Sequence, residues 1–291
     1  MLAFQGAGAH ALSVNPAIQD VTVDPGKVET RIISIENDEA VAQTYVVAIQ
    51  KFLPKGEMGQ QEFLDARDTS GLPEWMYVDK PEVTLQPGQK GTLQVAIRVP
   101  ADAKAGGYYA ALFLSRKQLA QEQVAMLPRL GILFFVQVNG ALTEKMSLQG
   151  FQTDSDATYE RLPVGFRATI VNEGNVHLVP SGSIRVKNMF GATVATIPFN
   201  ADSGRVMPGS SRVLSASWGK ENATSGFEFG PYTATLQIEG RGFSQRIEST
   251  ARFTVFSWRS AVSLVAILGF LVILFFVFKK LVIRSATAKH L

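Results

Sequence analysis

Apolar and polar positions alternate with a period of two along most of this chain, and long stretches of helical period are scarce. The segments 31–37 (RIISIEN), 45–51, 91–99, 108–115 and 129–138 read as strands, as do 166–172, 182–188, 213–218, 232–239 and 245–256. Gly, Pro, Asn and Asp punctuate them, which is turn chemistry. Many short strands at this spacing predict antiparallel sandwiches. One run breaks the pattern. Residues 261–278, AVSLVAILGFLVILFFVF, are 18 residues without a charge. As a helix the run would span about 27 Å, close to the hydrocarbon core of a bilayer. With Trp258 before it and Lys279 and Lys280 after it, it predicts a transmembrane helix bounded by Ala261 and Phe278.

A short phrase is written twice. GGYYAALFLS begins at Gly106 and GPYTATLQIE at Gly230, both of the form Gly-x-Tyr-x-Ala-x-Leu. Each is preceded by a strand ending in Asn (Asn37, Asn172) and by a Pro-Gly turn (Pro87 and Gly88, Pro208 and Gly209). These landmarks are separated by 135, 121 and 124 residues, so one fold is used twice. The first copy carries about a dozen extra residues. They fall in the polar, Gly/Pro-punctuated stretch 52–73, which reads as a loop. The expected fold is therefore all-β, with two tandem Ig-like β-sandwich domains followed by one C-terminal transmembrane helix. The expected divisions are 1–11 (remnant of an export signal or disordered end), 12–140 (first sandwich), 141–257 (second sandwich), 258–280 (transmembrane helix with flanks) and 281–291 (short cytoplasmic tail).

The repeated tyrosines, Tyr108 and Tyr232, stand where Ig-like sandwiches place a tyrosine corner, with a hydroxyl bonded to the chain upstream. Ala110 and Ala234 occupy the position that antibody domains give to a disulfide cysteine. Tyr109 and Thr233 then lie on the opposite face and are expected to tolerate change. A phosphate loop would need a helix after the glycines and a lysine in register, and YYAALFLS alternates as a strand instead.

Composition narrows the chemistry. The chain has 291 residues and no cysteine, which excludes disulfides, thiolate metal sites and a cysteine nucleophile. Its three histidines, His10, His177 and His290, are scattered, which disfavours a His-based zinc site or a catalytic triad. The pI of about 9.1 comes from the tail. Five basic residues and no acid follow Trp258, and residues 1–258 carry a net charge of −2. A folded part without a basic face argues against nucleic-acid binding. Four of those five basic residues follow the apolar run, so the positive-inside tendency would put the C-terminus in the cytoplasm and the sandwiches outside. Asp154, Asp156 and Glu160 read as a solvated turn and not a calcium loop, and His177 reads as a loop histidine. No catalytic, cofactor or metal residue stands out. The segment bounded by Arg116 and Arg129, RKQLAQEQVAMLPR, is longer than a hairpin needs and is the candidate binding loop.

The stretches VNPAIQDVTVDPGKVETRIISIEN, LQPGQKGTLQVAIRVPADAKAGGYYAALFLS and RLGILFFVQVNG resemble the first domain of the WxL-interacting cell-surface proteins of Gram-positive bacteria. The resemblance covers residues 12–140 in pattern, and the second half is only generically Ig-like. The chain is not itself a WxL protein, since Tyr, Lys and Ser stand two positions after Trp75, Trp218 and Trp258. The resemblance implies a single-pass envelope protein with its ectodomain outside. Its expected role is non-catalytic: binding peptidoglycan, or scaffolding other surface proteins. The alternatives are a chaperone or assembly factor that lends strand edges to exported subunits, and an accessory subunit of a membrane enzyme complex.

Overall fold

The computed structural model describes residues 12–117, 129–155, 157–222, 229–243, 246–256, 262 and 266–276. The first sandwich is built from β1 (Leu12–Asn15), β2 (Ile18–Val23), β3 (Val28–Asn37), β4 (Gln43–Lys55), β5 (Gln60–Phe63), β6 (Met76–Val78), β7 (Glu82–Leu85), β8 (Lys90–Arg98), β9 (Gly106–Arg116) and β10 (Arg129–Val138). A single helical turn, α1 (Leu72–Trp75), precedes β6. The second sandwich comprises β11 (Met146–Thr153), β12 (Thr158–Tyr159), β13 (Val164–Asn172), β14 (Ser181–Asn188), β15 (Thr193–Phe199), β16 (Ser211–Trp218), β17 (Gly230–Glu239) and β18 (Ile247–Val255). The all-β expectation and its Ig-like layering are met.

Within the first sandwich, one sheet runs β1-β3-β8-β6 and the facing sheet runs β2-β10-β9-β4-β5, with β7 also on β4. The second pairs a β11-β13-β16 sheet with a β12-β18-β17-β14-β15 sheet. Both copies begin the same way. β1 pairs antiparallel with β3, then the chain crosses at Pro16 and β2 runs parallel to β10. Likewise β11 pairs with β13, and β12 runs parallel to β18. Pro16 offers no N–H, so a ladder cannot continue through it.

Inward residues at every second position fill each core. Ile33, Ile35, Leu93, Val95, Leu112 and Phe134 belong to the first, and Phe166, Ile170, Ile184, Trp218 and Leu236 to the second. The repeated Asn residues close the same corner in each copy. Asn37 and Asn172 are fully buried. Asn37 Nδ2 donates to the carbonyls of Val41, Leu85 and Gln86, and Asn172 Nδ2 to those of Val176 and Val206. Each Asn carbonyl in turn accepts the N–H of a turn glycine, Gly88 or Gly209, at 2.8 and 2.9 Å. Those glycines sit at φ 68° and 65°, where a side chain is disfavoured. The Asn and Pro-Gly landmarks are thus one hydrogen-bonded unit, because buried backbone groups need partners.

Two expectations are corrected here. The stretch 52–73 is not a plain loop: β4 runs on to Lys55 and returns as β5, and Phe52 is buried. Phe52 is anchored by aromatic partners on the neighbouring strands, which a polar reading of the stretch overlooks. The second correction concerns the C-terminus. Among the described residues no helix is long and apolar enough to cross a membrane. Residues 266–276 are helical and exposed. Ala261 and Phe278 lie outside the described residues. The expected single-pass anchor, the membrane as partner and the outside/cytoplasm topology are corrected accordingly.

Candidate functional site

β9 and β10 read as continuous apolar runs because both of their faces are covered. Even-numbered residues Ala110, Leu112 and Leu114 enter the first core, with Ile132, Phe134 and Val136 from β10. Odd-numbered residues Tyr109, Ala111, Phe113 and Phe135 form a separate apolar cluster with Phe52 and with Met207 of the second sandwich. The outer face of this sheet, which would meet water in a lone sandwich, is therefore the junction between the two domains. Tyr109, expected to be tolerant of change, is 9 % exposed. Its ring meets Phe52, Phe135 and His177 at centroid distances of 5.9, 5.7 and 5.6 Å.

Polar contacts frame this cluster. The Gly107 N–H donates to the Asn175 carbonyl at 2.8 Å, and Asn175 Nδ2 returns to the Ala105 carbonyl at 3.2 Å. On the far side the β4–β5 turn reaches β16, where Val213 N–H donates to the Glu57 carbonyl at 2.7 Å and Ser211 Oγ to Glu57 Oε1 at 2.8 Å. Arg205 forks onto Asp20 and lies 4.7 Å over the Phe135 ring. His177, expected to be an ordinary loop histidine, is wedged between Tyr109 and Phe135 with its side chain 11 % exposed. Burial holds its pKa down to about 4. Asp20, 3.5 Å from Nε2, pulls the other way, but it is half in solvent and already engaged by Arg205, so desolvation prevails. Burial also pushes the Tyr109 phenol well up. The neutral pair therefore has the Tyr109 hydroxyl donating to His177 Nδ1 at 3.4 Å.

The candidate binding surface lies at the other end of β10. β9 pairs with β10 along its whole length, from Arg129↔Ser115 to Val138↔Gly106. β2 pairs with β10 only from Leu133 onward. Residues 129–132 therefore have β9 on one side and, among the described residues, no strand on the other. The cause is the crossing at Pro16, which sends β1 to the opposite sheet. Ile132 faces the core, and Leu130 shares its side of the strand. Across the gap, Leu12 and Val14 of β1 pack half-buried against the same core. Among the described residues the result is a backbone edge without a strand partner, flanked by two apolar rows.

Of the residues singled out from sequence, Tyr108 donates its hydroxyl to the Lys104 carbonyl at 2.9 Å, and the Tyr232 hydroxyl accepts the Phe229 N–H at 3.1 Å. Arg116 ends β9. Arg129 opens β10, with its guanidinium 4.2 Å over Phe113 and Nη1 donating to Gln50 at 3.1 Å. The candidate loop's residues 118–128 lie outside the described residues. Asp154 accepts the Tyr159 hydroxyl at 2.6 Å, a turn contact, and Asp156 lies outside the description. Among the described residues no group of His, Cys, Asp and Glu is arranged to hold a metal. Sequence reasoning missed Asp20, Arg205 and the open edge. The break at Pro16 between two apolar alternations was the signal for the edge.

No family model matches the chain, and no curated protein matches it. Solved structures of similar architecture include a chaperone–tip adhesin complex of CFA/I fimbriae biogenesis (12 % identity, TM-score 0.42, covering 83 % of this chain and 98 % of that one). Others are the E. coli chaperone DraB (12 %, 0.39, 82 % and 98 %) and the Salmonella enterica SafA pilin in complex with the SafB chaperone (10 %, 0.39, 86 % and 98 %). The geometry of this chain, not these distant likenesses, carries its function. The expected resemblance to WxL-interacting proteins, with peptidoglycan and surface-protein partners, is corrected: the solved structures of similar fold include fimbrial chaperones. The motifs behind that resemblance, the Pro-Gly turns and the Gly-x-Tyr strands, serve the corner and the strand entry in both copies, so they report the fold and not a ligand.

Proposed function

We propose that this protein is a non-catalytic assembly factor that holds an exported protein subunit by accepting an extended segment along the free edge of β10. The observation that supports this is the bare backbone at residues 129–132 between Leu130 and Ile132 on one sheet and Leu12 and Val14 on the other. Unpaired edges of this kind recruit another chain unless blunted by charge, proline or cover. Strand addition gives affinity through main-chain hydrogen bonds and specificity through alternate side chains. Leu130, half-buried beside the core residue Ile132, offers apolar contact on one face of the added strand. The junction described above holds the edge in place, since both faces of β9 and β10 are packed.

A photoreactive amino acid at Leu130, introduced in living cells, tests the proposal. It is expected to cross-link one β-rich exported protein, whereas the same probe at Phe190, on the far turn of the second sandwich, captures none of it. In the purified complex the amides of residues 129–132 should exchange with deuterium at least ten-fold more slowly than in the free protein. A partner that binds without slowing these amides refutes the edge as the site.

A further inference from the structure

The two sandwiches hold themselves together separately. Each has its own apolar cluster, and the junction cluster of Phe52, Tyr109, Phe113, Phe135 and Met207 is a third and smaller one. The chain passes from one sandwich to the other once, through residues 139–145. Within that link Gly140 sits at φ 141°, where a side chain is disfavoured. Main-chain bonds that cross the junction include those from the Gly107 N–H to the Asn175 carbonyl and from the Val213 N–H to the Glu57 carbonyl. A domain interface tied by a small cluster gives way more readily than a packed core, so the sandwiches can part without unfolding.

His177 sits among these ties. It is faced by Asp20 of β2, Tyr109 of β9, Phe135 of β10, Arg205 of the segment before β16 and Arg241 of the β17–β18 turn. Two of these neighbours are cations, and the carboxylates beside them are engaged, Asp20 by Arg205 and Glu144 by Arg241. A proton on the ring therefore places a charge against two aromatic rings where docking has removed most of the water. Parting the sandwiches returns the charged ring to solvent. We propose that the junction is an acid-operated hinge: uptake of a proton by His177 parts the two sandwiches about residues 139–145 while each keeps its own core. Parting brings Tyr109, Phe113 and Phe135 on the outer face of β9 and β10 into solvent. The hinge stands on the junction and does not depend on what binds the β10 edge.

Amide hydrogen exchange of the full chain at pH 7 and pH 5, corrected for the intrinsic rate at each pH, tests this. The Gly107 and Val213 amides report parting of the junction. Ile35 and Ile170, each paired with a strand on both sides, report unfolding of the first and second sandwich. The ring has a pKa of about 4 in the closed junction and about 6.5 in water. The parted-to-closed ratio should therefore rise about 20-fold from pH 7 to pH 5. Gly107 and Val213 should lose protection by that factor and stay at least about ten-fold less protected than Ile35 and Ile170 at both pH values. His177→Gln, or His177→Asn should the first variant not fold, should abolish the loss on acidification. Equal protection at the two sets of amides would mean that the junction opens only when a sandwich unfolds. A flat profile in the wild type, or a 20-fold loss that persists without His177, would remove the histidine from the hinge. Any of these results overturns the proposal.

Discussion

His177 links the two sandwiches and makes their union sensitive to acid. Its ring sits 5.2 Å from that of Phe135 and 5.6 Å from that of Tyr109, in a setting dry enough to bring its pKa from the ordinary 6.5 to about 4. The charged groups facing it are Asp20, which favours the protonated ring, and Arg205 and Arg241, which oppose it. The unfolded chain takes up a proton near pH 6.5, and the folded junction refuses it until about pH 4. Between those limits the unfolded state binds more protons, so stability rises with pH and is lost as pH falls. Each pH unit in the window is worth about 1.4 kcal/mol, giving about 2 kcal/mol by pH 5 and about 3 kcal/mol across the window. His177→Gln keeps a polar side chain and removes the titration. Urea unfolding at pH 7.5, 6.5, 5.5 and 5.0 should show wild type losing about 2 kcal/mol more than His177→Gln over that range. Histidine NMR should show one ring titrating well below 6. Parallel pH profiles for the two proteins, or a His177 pKa near 6.5, would refute the burial argument.

Two further predictions concern the packing. Asn172→Ala would strand the Val176 carbonyl and the Gly174 N–H and leave the Val206 carbonyl with only the Leu178 N–H. It should cost roughly 3 kcal/mol in urea unfolding, as should Asn37→Ala in the first sandwich, and a loss under 1 kcal/mol at either site would show that the corner refills with water. Tyr109→Ala, which empties the centre of the junction, should cost about 3–5 kcal/mol. Tyr108→Phe, which loses one exposed hydrogen bond to Lys104, should cost at most about 1 kcal/mol, and equal costs for these two substitutions would contradict the assignment of faces.

The sequence alone determined what is local to a strand. Period-two alternation marked segments such as 31–37, 166–172 and 232–239, which lie within β3, β13 and β17. The Asn, Pro-Gly and Gly-x-Tyr landmarks showed that one sandwich is written twice, because each landmark meets a backbone demand of its own turn. The tertiary structure decided which faces and edges are covered. Tyr109 looked like a surface position because partners such as His177 come from the other sandwich, and Phe52 looked like a loop position because its partners Phe63, Tyr109 and Phe135 lie on distant stretches of its own sandwich, with Met207 of the other closing the cluster. Asp20, His177 and Arg205 carry no shared motif: the segments of His177 and Arg205 are joined by the Leu178–Val206 bridge within the second sandwich, and Asp20 meets them only where the domains dock. The free stretch of β10 has the same origin. Periodicity states that 129–138 is a strand, but its neighbours are set by a crossing at Pro16, more than a hundred residues away in the sequence.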